Sequence, residues 1–151
     1  MARTKNALRE HWVAEWSKED TQAPDKTKYK RLAKYVSTID DDTDEETDDT
    51  AFYDGDGTKE TSVIGVKESW KFEGFRDYSD EAQNLIAGKK RKTGDDRKVW
   101  HKIVEADKKT QVEGVATATN IVTAGGDAGD YGKFECTLSY NTLPKEVPYV
   151  E

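Results

Sequence analysis

Residues 40 to 49 constrain this chain more than any other stretch, because eight of the ten are acidic: Asp40, Asp41, Asp42, Asp44, Glu45, Glu46, Asp48 and Asp49. Carboxylates at that density cannot enter an apolar interior without losing hydration that nothing nearby replaces. The segment must stay in water, so any core has to come from the chain on either side. Tyr53, Asp54, Gly55, Asp56 and Gly57 follow with two Asp-Gly turn signals. Together these features predict a long acidic loop over residues 40–60.

Core material is scarce. Leu, Ile, Val and Phe supply 25 of the 151 residues, and the net charge is −7. That balance approaches the composition of disordered chains. Aromatic residues at 10%, and apolar residues set in period-two runs, argue for a folded chain instead. The length suits one domain over 1–151, with residues 1–10 and 143–151 as extended arms.

Alternation predicts strands at 11–16, 29–39, 61–75, 97–105, 112–122 and 131–140. Trp12, Ala14 and Trp16 share one face of the first, although Leu8, Trp12 and Trp16 also fit a short helix. Residues 61–75 read as one long strand, with Ile64, Val66, Trp70 and Phe72 on one face. Ser79 is placed to cap a short helix that carries Ala82, Leu85 and Ile86 on one side and stops at Gly88. The expected core is Trp70, Phe72, Leu85, Ile86, Trp100, Phe134, Cys136 and Leu138. Strands, one central helix, then three strands predict a mainly β fold, an antiparallel sandwich or barrel with one flanking helix.

Chemistry is hard to find in the sequence. An EF-hand begun at Asp54 puts Thr58 at its fifth position and Lys59 at its sixth, where glycine is needed, so the carboxylates read as solvated rather than as a calcium loop. His11 and His101 are the only histidines and lack zinc-site spacing. Cys136 lies on the apolar side of its strand and reads as a small core residue. Gly125 and Gly126 sit between strands, without the Lys-Ser/Thr of a phosphate loop. No catalytic, metal or cofactor residues are expected. The acidic balance disfavours general nucleic-acid binding, a single cysteine excludes an internal disulfide, and no membrane span is expected.

Residues Trp70 to Asp77 (WKFEGFRD), followed by Asp80 to Ile86 (DEAQNLI), resemble the strand-to-helix junction of siphophage major tail tube proteins. Lys5 to Ala7, Tyr29 to Val36, Tyr53 to Gly57, Gly114 to Val122 and Phe134 to Tyr140 extend the resemblance in the same order. It is strongest to tail shaft proteins of phages and prophages of Gram-positive bacteria, and a phage-tail-like bacteriocin is compatible with the same subunit.

The resemblance implies a non-enzymatic virion protein of a long non-contractile tail, assembled in the host cytoplasm. Hexameric rings would stack into a tube around a tape-measure protein, meet a tail terminator and distal tail or baseplate proteins, and pass double-stranded DNA. No added immunoglobulin-like decoration is expected after the last strand. Acidic or neutral side chains are expected to line the lumen, since a basic lining would hold DNA by counterion release. Contacts between copies are expected at Asp40, Asp41, Asp42, Asp44, Glu45, Glu46, Tyr53, Asp54 and Asp56, opposite Lys89, Lys90, Arg91 and Lys92. The alternative is a monomeric β-sandwich module that binds carbohydrate through exposed Trp12, Trp16, Trp70 or Trp100.

Overall fold

The structure, a computed structural model, describes residues 3–150. Met1, Ala2 and Glu151, parts of the expected terminal arms, lie outside the described residues. In chain order the elements are β1 (Glu10–Glu15), β2 (Lys30–Arg31), β3 (Val36–Asp41), β4 (Asp44–Thr50), β5 (Glu60–Lys67), β6 (Ser69–Phe75), α1 (Glu81–Ala87), β7 (Lys98–Val104), β8 (Thr110–Val122), β9 (Lys133–Tyr140) and β10 (Val147–Pro148). Seven strands form one sheet in the order β2, β1, β7, β8, β9, β6, β3, and β10 adds to β8. All neighbours are antiparallel. The sheet curls into a half-barrel flanked by α1, the mainly β architecture with one helix expected from sequence.

One face of the curl is dry because the alternation of several strands agrees. Phe134, Cys136, Leu138 and Tyr140 of β9 are buried, and the register sets Phe72 against Cys136, Ala118 against Leu138 and Ala116 against Tyr140. The small alanines leave room for the larger side chains opposite them, as close packing requires. Val13, Val99, Ile103 and Leu32, with Ala82 and Ile86 of α1, complete the cluster. Burying a side chain such as Phe72 or Phe134 contributes about 1.5–3 kcal/mol.

Phe72, Ile86, Phe134, Cys136 and Leu138 thus occupy the core as expected, with Trp70 and Leu85 half-buried at its margin. Trp100 does not. It lies on the opposite face of β7 from Val99 and Ile103, half-exposed, and its indole N–H donates to Asp20 Oδ2 at 2.9 Å. The same reversal holds in β1, where His11 and Val13 are buried and Trp12 is the outer neighbour.

Three expected elements are corrected. Residues 61–75 form two strands, because the chain leaves the main sheet at Glu68, so Ile64 and Val66 share no core with Trp70 and Phe72. Residues 29–39 are interrupted by a turn in which Tyr35 has a φ of 59°. Asp80, rather than Ser79, caps α1, its carboxylate accepting from the Gln83 backbone N–H at 3.3 Å.

At that turn β3 and β6 pass so closely that a Cβ on Gly74 would lie 2.1 Å from the Tyr35 carbonyl oxygen. The close approach lets Phe75 N–H donate to the same carbonyl at 2.9 Å. Gln83, fully buried, locks the junction to the helix: its amide donates to the carbonyls of Phe75 and Lys34 and accepts from Asp77 N–H.

Candidate assembly interface

The acidic segment is solvated but is not a loop. Asp44, Glu45 and Glu46 lie in β4, which pairs only with β5 in a two-stranded ribbon continuing the β3–β6 hairpin beyond the main sheet. Asp40 and Asp41 still belong to β3, opposite Lys71 and Trp70. Asp42 carries the ladder across the junction, its N–H donating to Ser69 carbonyl at 2.8 Å. Tyr53, Asp54 and Asp56 sit in the exposed turn at the tip, where the Thr58 hydroxyl and backbone N–H hold the Asp56 carboxyl below its usual range. A carboxylate-rich strand can form here because neither face of the ribbon is buried, so its carboxylates keep their hydration while backbone groups make the ladder.

The ribbon is not uniform around its axis. Val66 faces Glu45 and Val63 faces Thr47, with a register shift between them that leaves Ile64 unpaired. Glu45 and Thr47 are two residues apart and share a face, so the bulge at Ile64 brings Val63 and Val66 to that same face. Val63, Ile64 and Val66 are 54%, 61% and 39% exposed. Residues 44–67 hold eight carboxylates and two lysines, a net −6 out of the chain's −7. The outer face of the main sheet is close to balanced by comparison, with Lys71, Lys98, Lys102 and Lys133 among Glu10, Asp40, Glu73, Glu113 and Glu135.

The expected basic counterpart divides in two. Lys89 is buried, and its ammonium contacts Glu15 Oε2 at 3.4 Å and Asp96 carbonyl at 3.3 Å, so it anchors the end of α1 to β1 and is not available for an outside partner. Lys90, Arg91 and Lys92 remain in the following turn, Lys90 half-exposed and the other two exposed. Arg97 braces that turn by donating to the carbonyls of Lys90 and Lys92 at 2.6 and 2.7 Å and to Ala118 carbonyl at 3.3 Å.

The two histidines form a contact that spacing along the chain did not reveal. His11 Nδ1 lies 3.1 Å from His101 Nε2, both rings are buried, and Trp70, Phe72 and Tyr140 pack around them. Burial, then Arg9 and Arg31, pulls His11 down to about 3, and burial, then His11, holds His101 well below its usual value. Neutral imidazoles in this position pack and share one hydrogen bond. The available signal was the pairing of β1 with β7, which sets His11 and His101 two residues apart across the ladder. Burial likewise pushes the Cys136 thiol up, away from thiolate chemistry.

By sequence, the chain matches no protein-family model and no curated protein. Solved structures do share its architecture. A chain from the tail of an empty gene transfer agent particle, refined helically with C6 symmetry, superposes with a TM-score of 0.67 at 13% identity, over 96% of this chain and 99% of that one. A chain of the native gene transfer agent virion gives 0.66 at 12%, over 96% and 99%. A chain of the anti-feeding prophage cap that terminates its tube gives 0.56 at 11%, over 98% and 93%. The chain has a tail-tube-like fold.

Within this tail-tube-like fold the chemistry-bearing side chains do not converge. Among the described residues no group of three or more His, Cys, Asp or Glu is placed to hold a metal ion, and no helix is long and apolar enough to cross a membrane. Among the described residues the main path of the sheet ends in β2 and β3, each with one strand partner, and a charged ribbon extends from it.

Proposed function

We propose that this chain is a self-assembling structural subunit of a phage-type tail tube, in which six-membered rings stack into a hollow conduit. The observation that carries this reading is the superposition of nearly the whole chain on a subunit of a C6 helical tail. The sheet ends at β2 and β3 support it: strand edges without a partner are a liability in a monomer, and ring closure removes that liability by pairing them between copies. In the finer form of the reading, the tube belongs to a long non-contractile tail of a phage or prophage of Gram-positive bacteria. It encloses a tape-measure protein, ends at terminator and distal tail or baseplate proteins, and passes double-stranded DNA. The near-balanced outer sheet face suits a conduit surface that does not retain phosphate.

The carbohydrate-module alternative loses ground because the tryptophans are engaged within the chain. Trp12 and Trp70 donate to Glu10 and Glu68, Trp100 donates to Asp20, and Lys98 sits 4.8 Å from the Trp16 ring. A tube subunit of a phage-tail-like bacteriocin is the second reading, supported by the likeness to the anti-feeding prophage cap. DNase-protected DNA in particles that carry this chain would separate the two.

The test is negative-stain electron microscopy of the purified chain over a concentration series, with sedimentation velocity alongside. Rings or hollow tubes are expected. A chain that stays monomeric at every concentration would overturn the reading, and oligosaccharide binding by that monomer would put the module in its place.

A further inference from the structure

We propose that the β4–β5 ribbon docks head-to-tail on a second copy of this chain, its Val63–Val66 face covered there and its carboxylates set against Lys90, Arg91 and Lys92. This deepens the tube reading and rests on it.

Three independent features point to that occupant. First, the ribbon exposes an apolar face with no core behind it. Phe52 at its end is also 54% exposed. A bulge that gathers Val63 and Val66 onto one side has a role only if that side is covered. Second, neither charged block is satisfied at home. The seven ion pairs among the described residues use none of the carboxylates of residues 44–60 and none of Lys90, Arg91 or Lys92. One chain therefore carries an unpaired acidic surface and an unpaired basic one.

Third, the register makes the two blocks point in opposite directions. Ser69 pairs with Ser139, Ser139 with Thr117, and Thr117 with Lys98, so β6 and β7 both begin on one row of the sheet. From that row β6 runs alongside the later residues of β8, and β7 runs antiparallel to β8 toward Gln111. The ribbon precedes β6 and so departs toward the Gln111 side. The basic turn precedes β7 and lies on the Ala118 side, where Arg97 holds it. A ribbon that leaves one end and a complementary turn at the other cannot meet within one copy, yet they meet when copies stack along the strand direction. Such a heterologous contact repeats from copy to copy without self-complementarity. Apolar burial supplies the attraction, and the charges fix which end meets which.

The experiment compares full-length wild type with three variants: the reversal Lys90→Glu/Arg91→Glu/Lys92→Glu, the reversal Glu45→Lys/Asp49→Lys, and the two combined. Far-UV circular dichroism and urea midpoints verify that each folds. Either reversal alone is expected to raise the concentration needed for rings or tubes by about tenfold or more, given several exposed pairs lost together. The combination is expected to recover most of that loss, an outcome that general weakening of the subunit does not produce. Folded reversal variants that assemble at the wild-type concentration, or a combination no better than its parts, would overturn the docking. A wild type that never assembles removes the tube reading itself, and this contact with it.

Discussion

The half-barrel and the ribbon are both antiparallel β structure, joined without a break through β3 and β6, yet they are held by different forces. Every strand of the half-barrel but the two-residue β2 and β10 sets side chains against the shared core or its margin, and Phe72, Phe134 and Leu138 have no exposed surface. The ribbon has only its backbone ladder and a few hydroxyl–carboxylate bonds, such as Thr61 to Asp49 at 2.7 Å. An isolated two-stranded hairpin is marginal in water. Stability and charge have been separated along one chain, the first in the half-barrel and almost all of the second in the ribbon. A part without its own core gains order from whatever covers it, so the ribbon is the segment whose stability a covering partner would change most.

The largest contrast between the two regions comes from truncating apolar side chains. Phe72→Ala is expected to lower unfolding free energy by about 3–5 kcal/mol, because it removes a buried ring and leaves a cavity. Val66→Ala, a ribbon truncation, is expected to stay within about 0.5 kcal/mol of wild type. Urea denaturation of the unassembled chain measures both. Equal losses would mean that the ribbon packs on the body, and the separation would fail.

Gly74→Ala attacks the seam where β3, and with it the ribbon, is attached. The added Cβ has to displace backbone at Tyr35 rather than a flexible side chain. A loss of about 1–3 kcal/mol is expected, in the range of overpacked sites. A wild-type urea midpoint for this variant would show that the close approach is not needed.

Mild acid sharpens the comparison by acting first on the body. In the unfolded chain both imidazoles take up protons below about pH 6.5, whereas burial keeps the folded pair neutral, with Arg9 and Arg31 adding to the effect at His11. Protons gained on unfolding favour the unfolded chain as pH falls. The contribution of His11 is complete above pH 6.5 and is lost progressively toward about 3, where the folded ring itself protonates. Between pH 6.5 and 5, while most carboxylates stay ionised, His11 alone should remove roughly 1.5 kcal/mol. Urea midpoints across that window test it, and a flat profile would mean that the pair is charged or hydrated in the fold.

How much of this was legible in sequence followed the same division. Phe134, Cys136 and Leu138 were read correctly because β9 is buried on one face and wet on the other, the condition under which alternation carries information. Trp100 was misplaced because β7 carries apolar residues on both faces, and its size favoured the wrong one. In β4, where both faces meet water, no side chain reports the strand. The spacing of Ile64, Val66, Trp70 and Phe72 stays in phase across Glu68, although the chain there passes from ribbon to body. The unpaired basic turn was legible as composition, but the burial of Lys89 was not, since its partner Glu15 lies 74 residues away.

The smallest effect on the isolated chain, and the most specific one, is expected from inserting one serine between Glu46 and Thr47, opposite the unpaired Ile64. With Ile64 given a partner the ribbon regains regular register, so Val63 moves to the face opposite Val66, because residues three apart cannot share a face in an unbulged strand. Ribbon charge and the pairing partners of the body stay as they are, and the urea midpoint should remain within about 0.5 kcal/mol of wild type. Assembly should nevertheless weaken, because the apolar face that the bulge gathers is now divided between two sides. Deleting Ile64 instead also leaves a regular ladder but sets Val63 and Val66 two residues apart on one face, so it should keep much of the assembly, since the alignment of the valines rather than the side chain of residue 64 is what matters. An insertion that leaves assembly untouched would mean that the ribbon is recognised through charge alone, whichever way its valines face.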